Sequence, residues 1–260
     1  MNAPRPQAIP VFLLVKSAFQ VLWQQRDDAL RLGFVPTLIS FASLVYSQNT
    51  MMAVMQQVQA GMRDQISSGD SFTVIVSALI SLLALAVLVA NWLRFALLGP
   101  MAAIGLGLNI GRPHVGFVVT CIALFFVSII ALTVISMPLL LLGGVVKGIG
   151  FVVAFILVLV GIARLLPFAV GQAIGQPMSL QQAWTVTRGN GVALASVLIL
   201  VLVPLWLVLV ILSNIMFAIG FGQAAPLAML FIASVFQSAG TILQAIVLAA
   251  AYRQLVGVRV

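Results

Sequence analysis

The chain has 260 residues, 63% of them hydrophobic and 6% charged, far from the roughly 45–50% apolar and about 25% charged make-up of soluble domains. Water is therefore not the solvent for most of its surface, and the formal charge of +8 is a matter of membrane sidedness instead of a nucleic-acid signal. Cys121, the single cysteine, lies inside an apolar run, which excludes an intramolecular disulfide and a thiol metal cluster.

The first residues carry prolines and Arg5 but neither an apolar stretch nor a small-residue cleavage pattern, so no removable signal peptide is expected. Over 10–26, Val11, Val15, Ala18 and Leu22 recur at helical spacing beside Phe12, Phe19 and Trp23, with Lys16, Gln20, Gln24 and Gln25 mostly opposite. That pattern predicts an amphipathic helix, either lying in the membrane interface with Lys16 and Trp23 as anchors or packed against a helix bundle. A charged corner, RDDALR, leads into a short first span over 32–47 containing Pro36, whose freed carbonyl needs a partner from a neighbouring helix or hydroxyl. The segment 48–71 is the longest polar stretch and is expected outside the membrane. Met51, Met55, Val58, Met62 and Ile66 nevertheless keep helical spacing within it.

The second span, 72–98, exceeds the about 20 residues needed to cross a hydrocarbon core and carries Asn91 and Arg94 in its last turns, where the arginine is expected to snorkel to the headgroups. A glycine- and proline-containing loop with Arg112 and His114 precedes the third span, 115–141. Gly143, Gly144 and Lys147 mark a turn into the fourth, 149–168, and an elbow over 169–190 joins it to the fifth, 191–217. Pro204 is expected to kink the fifth span. The sixth, 226–252, carries Ser234 with Ser238 and Ala245 with Ala249, small residues at the four-residue spacing that lets backbones approach in lipid.

These elements make an all-α polytopic membrane protein with six transmembrane helices and additional interfacial amphipathic helices. Sidedness follows from the cations. With a cytoplasmic N-terminus, Arg5, Lys16, Arg26, Arg31, Arg94, Arg112, Arg164, Arg188, Arg253 and Arg259 lie on the inner side, against Arg63 and Lys147 outside. That bias orients both termini to the cytoplasm under the positive-inside rule.

Catalysis requires converging acids, bases or nucleophiles. The four acidic residues, Asp27, Asp28, Asp64 and Asp70, all precede the second span, there is no glutamate, and His114 is the one histidine. No catalytic residues, metal set or cofactor are therefore expected, and His114 is read as a polar interfacial residue. The spans hold no ionisable side chain near mid-depth, which disfavours ion-coupled transport. In the elbow, Ser179 is placed to cap a short helix with Leu180, Ala183, Trp184 and Thr187 on one side and Gly189 at its end. Arg94 is followed nine residues on by Ala103-Ile104-Gly105, and Arg164 by Ala173-Ile174-Gly175, a short match that suggests two parallel repeats or chance. Arg94, Arg112, Arg164 and Arg188 then form a basic collar for lipid headgroups, anionic ones in particular, with Trp184 as a further interfacial anchor.

The order of N-terminal helix, short first span, polar segment and an elbow reading Pro167 … Ser179-Leu180-x-x-Ala183-Trp184-x-x-Thr187-Arg188-Gly189-Asn190 resembles the YciC-type family of bacterial inner-membrane proteins. It is also similar to the membrane domain fused to some glycerophosphodiester phosphodiesterases. The resemblance implies a six-helix bacterial inner-membrane protein; those families have no assigned chemistry, so no catalytic residues carry over, and without the phosphodiesterase domain the resemblance implies no esterase activity. Two functions follow as expectations: a non-enzymatic protein that binds membrane lipids or serves as accessory to a membrane-protein partner, and an uncoupled permease with Asn91, Asn214, Gln237 and Gln244 around a continuous void.

Overall fold

The computed structural model describes residues 9–59, 68–103, 110–141, 143–220 and 224–257, and among them there are helices and no strands. The α-helices are α1 (Val11–Gln24), α2 (Arg26–Gln59), α3 (Ser68–Leu98), α4 (Arg112–Ser136), α5 (Gly144–Ala173), α6 (Leu180–Val186), α7 (Gly191–Ala218) and α8 (Pro226–Val256). Short 3₁₀ turns follow α3 at Pro100–Ala103 and α4 at Met137–Leu141. Six helices, α2, α3, α4, α5, α7 and α8, have the length and mean hydropathy, 1.5 to 3.1, to cross a membrane. The shortest of these stretches, 27 residues in α3, is about 40 Å long at 1.5 Å per residue, more than a hydrocarbon core of about 30 Å.

The helices extend past the expected spans, most of all in two places. The helix that carries the first span runs unbroken to Gln59, so the helical spacing expected in the polar segment continues that of the span. No glycine or proline interrupts the chain between Pro36 and Gln59, and glutamine and methionine are good helix formers, so the helix continues past the point where polarity sets in. Residues 60–67 of that segment, which include Arg63 and Asp64, lie outside the described residues, and 68–71 open α3. The fourth span is likewise longer than 149–168: α5 starts at Gly144, whose φ of +54° suits only glycine, and ends at Ala173.

α8 is the central helix. It packs against α1, α2, α3, α5 and α7, and its buried residues are mostly small, among them Ser234, Ser238, Gly240, Ala245 and Ala249. Both small-residue pairs expected from the sequence therefore face neighbouring helices, where they permit close backbone approach. A Cβ at Gly33 would lie 3.6 Å from Ile242, which shows how near α2 comes to α8. The largest fully buried side chains include Trp92, Leu93 and Leu97 on α3, Val197 and Val201 on α7, and Leu243 and Val247 on α8. All belong to the half of the bundle that also carries the arginine corners, whereas the far halves of α4, α5 and α7 expose long apolar faces such as Phe125, Phe126, Ile156 and Trp206. The bundle is thus tightly closed at its basic end.

α1 packs on α7 and α8 through buried Leu14 and Ala18, and leaves Phe12, Leu13, Phe19 and Trp23 exposed. Of the two placements the sequence left open, contact with the bundle is the one seen on this buried side.

Candidate functional site

At the basic end, three arginines donate to backbone carbonyls in the last turns of other helices. The final four carbonyls of an α-helix have no intrahelical partner and accept such donors readily. Arg94, near the end of α3, donates from Nη1 to Ala173 O at 3.2 Å, closing α5, and from Nε toward Ala102 O at 3.4 Å in the 3₁₀ turn. Arg164 donates from Nη2 to Trp184 O at 2.8 Å near the end of α6, and its guanidinium lies 3.6 Å from the centre of the Trp184 ring. Arg253, on α8, donates to Ala96 O near the end of α3.

The expected collar of four equivalent headgroup ligands therefore divides. Arg94 and Arg164 are half-buried and engaged with backbone; Arg112, first in α4, and Arg188, just past α6, are exposed. Trp184 is 46% exposed and serves as the platform on which Arg164 stacks. Lys16 and Trp23 are exposed on α1, as anchors at a membrane surface would be.

The elbow is locally over-determined. α5 ends as Gly175 takes φ +75° and the Gln176 N–H donates back to Gly171 O at 2.9 Å; a Cβ at Gly171 would lie 2.7 Å from Gln176 O, so only glycine fits. Ser179 caps α6 as its spacing predicted: Ser179 Oγ accepts from the Gln182 N–H at 3.1 Å while Gln182 Oε1 accepts from the Ser179 N–H at 2.8 Å, the reciprocal capping box. Thr187 Oγ1 lies 2.8 Å from Ala183 O and 3.2 Å from Arg164 O, and Gly189 at φ +84° turns the chain into α7. Asn190 Oδ1 accepts the Ile9 N–H at 3.3 Å, tying the chain before α1 to the elbow. Seven-residue α6 is thus a bracket between α5 and α7.

The two arginine stretches of the suggested repeat take different paths. α3 ends at Leu98, four residues after Arg94, and turns at Gly99 with φ +92°, whereas α5 continues nine residues past Arg164 through Pro167. Ile104 and Gly105 lie outside the described residues.

His114, expected as a polar interfacial residue, is packed inside the bundle. It is the third residue of α4, only 3% exposed, and its Nδ1 accepts the Gly111 N–H at 3.1 Å while Nε2 lies 2.9 Å from Asn91 Oδ1. A ring nitrogen that accepts cannot carry a proton, so the imidazole is neutral with its hydrogen on Nε2, directed at Asn91. The signal was present in Gly111-Arg-Pro-His114: proline in the first turn, and a hydrogen-bonding residue three positions past the cap, able to reach back to the cap N–H.

A groove that sequence reading missed opens beside this end. α1, α2 and α8 form an open groove of about 440 Å³ walled by Phe19, Leu22, Leu30, Phe34, Val235, Ala239 and Ile242, and exposed Trp23 and Arg26 line its mouth, the end where α1 passes into α2. The Arg26 guanidinium lies 5.6 Å from the Trp23 ring centre. The polar groups Thr37 and Ser238 on its wall bond each other at 2.8 Å, so they offer little unmet polarity to an occupant. Phe231, also on its wall, meets Phe41 edge to face at 5.6 Å.

The side chains named for a permeation path do not share one void. Asn91 is buried against His114, and exposed Asn214 donates from Nδ2 to Val210 O in its own helix at 2.8 Å. Gln237 and Gln244 line a cavity of about 500 Å³ whose other walls include Leu202, Leu205, Trp206 and Leu209. A further cavity of about 360 Å³ among α3, α4, α5 and α8 includes Cys121, Ser128 and Gln244 in an otherwise apolar lining. Among the described residues no cluster of histidine, cysteine, aspartate or glutamate could hold a metal.

No family model matches the chain, and no similar curated protein or solved structure was found. What the fold establishes is coarse: a helical bundle with six helices long and apolar enough for a multi-pass membrane protein.

Proposed function

We propose that the protein is a non-enzymatic, lipid-binding integral protein of a bacterial inner membrane, with both termini in the cytoplasm, of the YciC-type family that its elbow motif resembles. The observation that carries the lipid reading is the groove of α1, α2 and α8: an apolar trough of about 440 Å³ with a guanidinium and an indole at its mouth. Indole and arginine are side chains that settle at the headgroup level, and the trough lies where a hydrocarbon chain would continue from that level. Exposed Lys16, Arg112 and Arg188 support the same reading, since juxtamembrane cations attract anionic leaflets. A non-enzymatic role is supported by the engagement of both His114 ring nitrogens and by the pairing of Asp28 with Arg31 at 3.1 Å. An accessory role in a membrane complex is compatible with the exposed faces of α4 and α7.

The test is native mass spectrometry of the full chain released from mild detergent. Wild type retains phospholipid, and Ala239→Phe, which sets a ring on the groove wall at α8 without altering charge, loses most of it while thermal unfolding in detergent stays within a few degrees. A lipid-free wild type, or equal retention by Ala239→Phe, overturns the reading.

A further inference from the structure

The groove has a chemically uneven mouth. α2 begins Arg26-Asp27-Asp28, so a cation and two carboxylates stand in one turn beside an apolar trough. The two acids are not equivalent. Asp28 is held by Arg31 at 3.1 Å, whereas Asp27 approaches Arg26 Nε only at 3.9 Å, and the side chains of Arg26 and Asp27 are 64% and 96% exposed. A pair that loose and that wet is worth little to stability, and both groups remain open to an external partner. One guanidinium and one carboxylate, 3.9 Å apart, are therefore presented together, the guanidinium on the lining of the trough and the carboxylate one residue beyond it on α2.

We infer that the groove takes one chain of an aminophospholipid whose phosphate sits on Arg26 and whose primary ammonium sits on Asp27. This rests on the lipid-binding reading and names its ligand. Arginine suits a phosphate because its planar fork makes two parallel charge-assisted hydrogen bonds. An ethanolamine headgroup then places three N–H donors within reach of Asp27, satisfying both charges of the mouth at once. A glycerol headgroup meets Arg26 equally well but offers no cation to Asp27. A choline headgroup carries a cation without N–H donors, so it offers Asp27 charge but no hydrogen bond. The trough fits one chain: from Arg26 to Leu38 it follows twelve residues of α2, about 18 Å, and the Phe41–Phe231 pair lies at its deep end.

The experiment titrates the full chain in detergent with phosphatidylethanolamine, phosphatidylcholine and phosphatidylglycerol of identical acyl chains, read by native mass spectrometry. Wild type binds the ethanolamine lipid about three- to fivefold more tightly than the choline lipid, the range of an exposed ion pair. Asp27→Asn abolishes that preference and leaves choline-lipid binding unchanged, whereas Arg26→Gln weakens all three. Ala239→Phe reports on the groove itself. If it weakens every lipid but ethanolamine and choline lipids bind wild type equally, or Asp27→Asn leaves the preference intact, the headgroup assignment falls and lipid binding stands. Tightest binding of the glycerol lipid also overturns it, in favour of Lys16, Arg112 and Arg188. If Ala239→Phe changes nothing for any lipid, both readings fall.

Discussion

Gly191→Ala should destabilise the protein, and should do so through one side chain. Gly191 is the first residue of α7, and a Cβ added there lies 2.8 Å from Arg164 Cγ, 2.9 Å from Cδ and 3.3 Å from Val160 Cγ1. The arginine is not free to swing aside, because its guanidinium is fixed by Trp184 O at 2.8 Å and by the indole ring at 3.6 Å. Displacing it forfeits a hydrogen bond to a charged donor, about 1.5–3 kcal/mol, and a partly exposed cation–π contact of about 0.5–1 kcal/mol. Against this stands the helical advantage of alanine over glycine, about 0.5–1 kcal/mol, so the net loss is about 1–3 kcal/mol. Equilibrium unfolding in mixed dodecyl maltoside and dodecyl sulfate micelles, followed by tryptophan fluorescence, measures it. The diagnostic comparison is a double-mutant cycle. In an Arg164→Ala background Cγ and Cδ are gone, and Gly191→Ala should be neutral or stabilising by up to about 1 kcal/mol. The same penalty in both backgrounds would refute the mechanism and point to Val160 or to the α7 backbone.

Two glycines of α5 should respond oppositely to alanine: Gly171→Ala loses about 1–3 kcal/mol because its Cβ meets the Gln176 carbonyl at 2.7 Å, whereas Gly161→Ala, with nothing within 4 Å, is neutral or stabilising by up to about 1 kcal/mol; the same unfolding assay ranks them. His114→Leu leaves the Gly111 N–H and Asn91 Oδ1 without their ring partner and should cost about 1–3 kcal/mol, while His114→Gln, which can accept from the one and donate to the other, should recover much of it. For sidedness, single cysteines at Gln182 and Lys147 in a Cys121→Ser background should react with a membrane-impermeant maleimide from opposite faces, the first only in inverted vesicles; labelling of both from one face would overturn the cytoplasmic assignment of the elbow.

Apolar length and turn residues made the six long helices legible, and Ser179 with Gln182 made the α6 cap legible, because both signals are local. The helical spacing of Met51, Met55 and Val58 made the extension of α2 to Gln59 legible as well, because polar helix formers without glycine or proline continue a helix past an apolar stretch. The use of Arg94 and Arg164 was hidden. Their partners are the carbonyls of Ala173 and Trp184, a group every residue possesses, so no side-chain pattern announces them. The Arg26 groove depends on how α1 and α8 flank α2, which no local period encodes. His114 lay between: its partner Gly111 is three residues away, but Asn91 is twenty-three.

The place of α1 bears on the order of assembly. Its buried face, Leu14 and Ala18, rests on α7 and α8, and the Ile9 N–H bonds Asn190, 181 residues away. α1 thus gains most of its contact surface only once α7 and α8 are in place, its contact with α2 being small. Its docking joins segments far apart in sequence and is a late event of folding. A protein halted before α8 would leave α1 loose and the groove without a wall, so lipid occupancy and completion of the bundle would arise together.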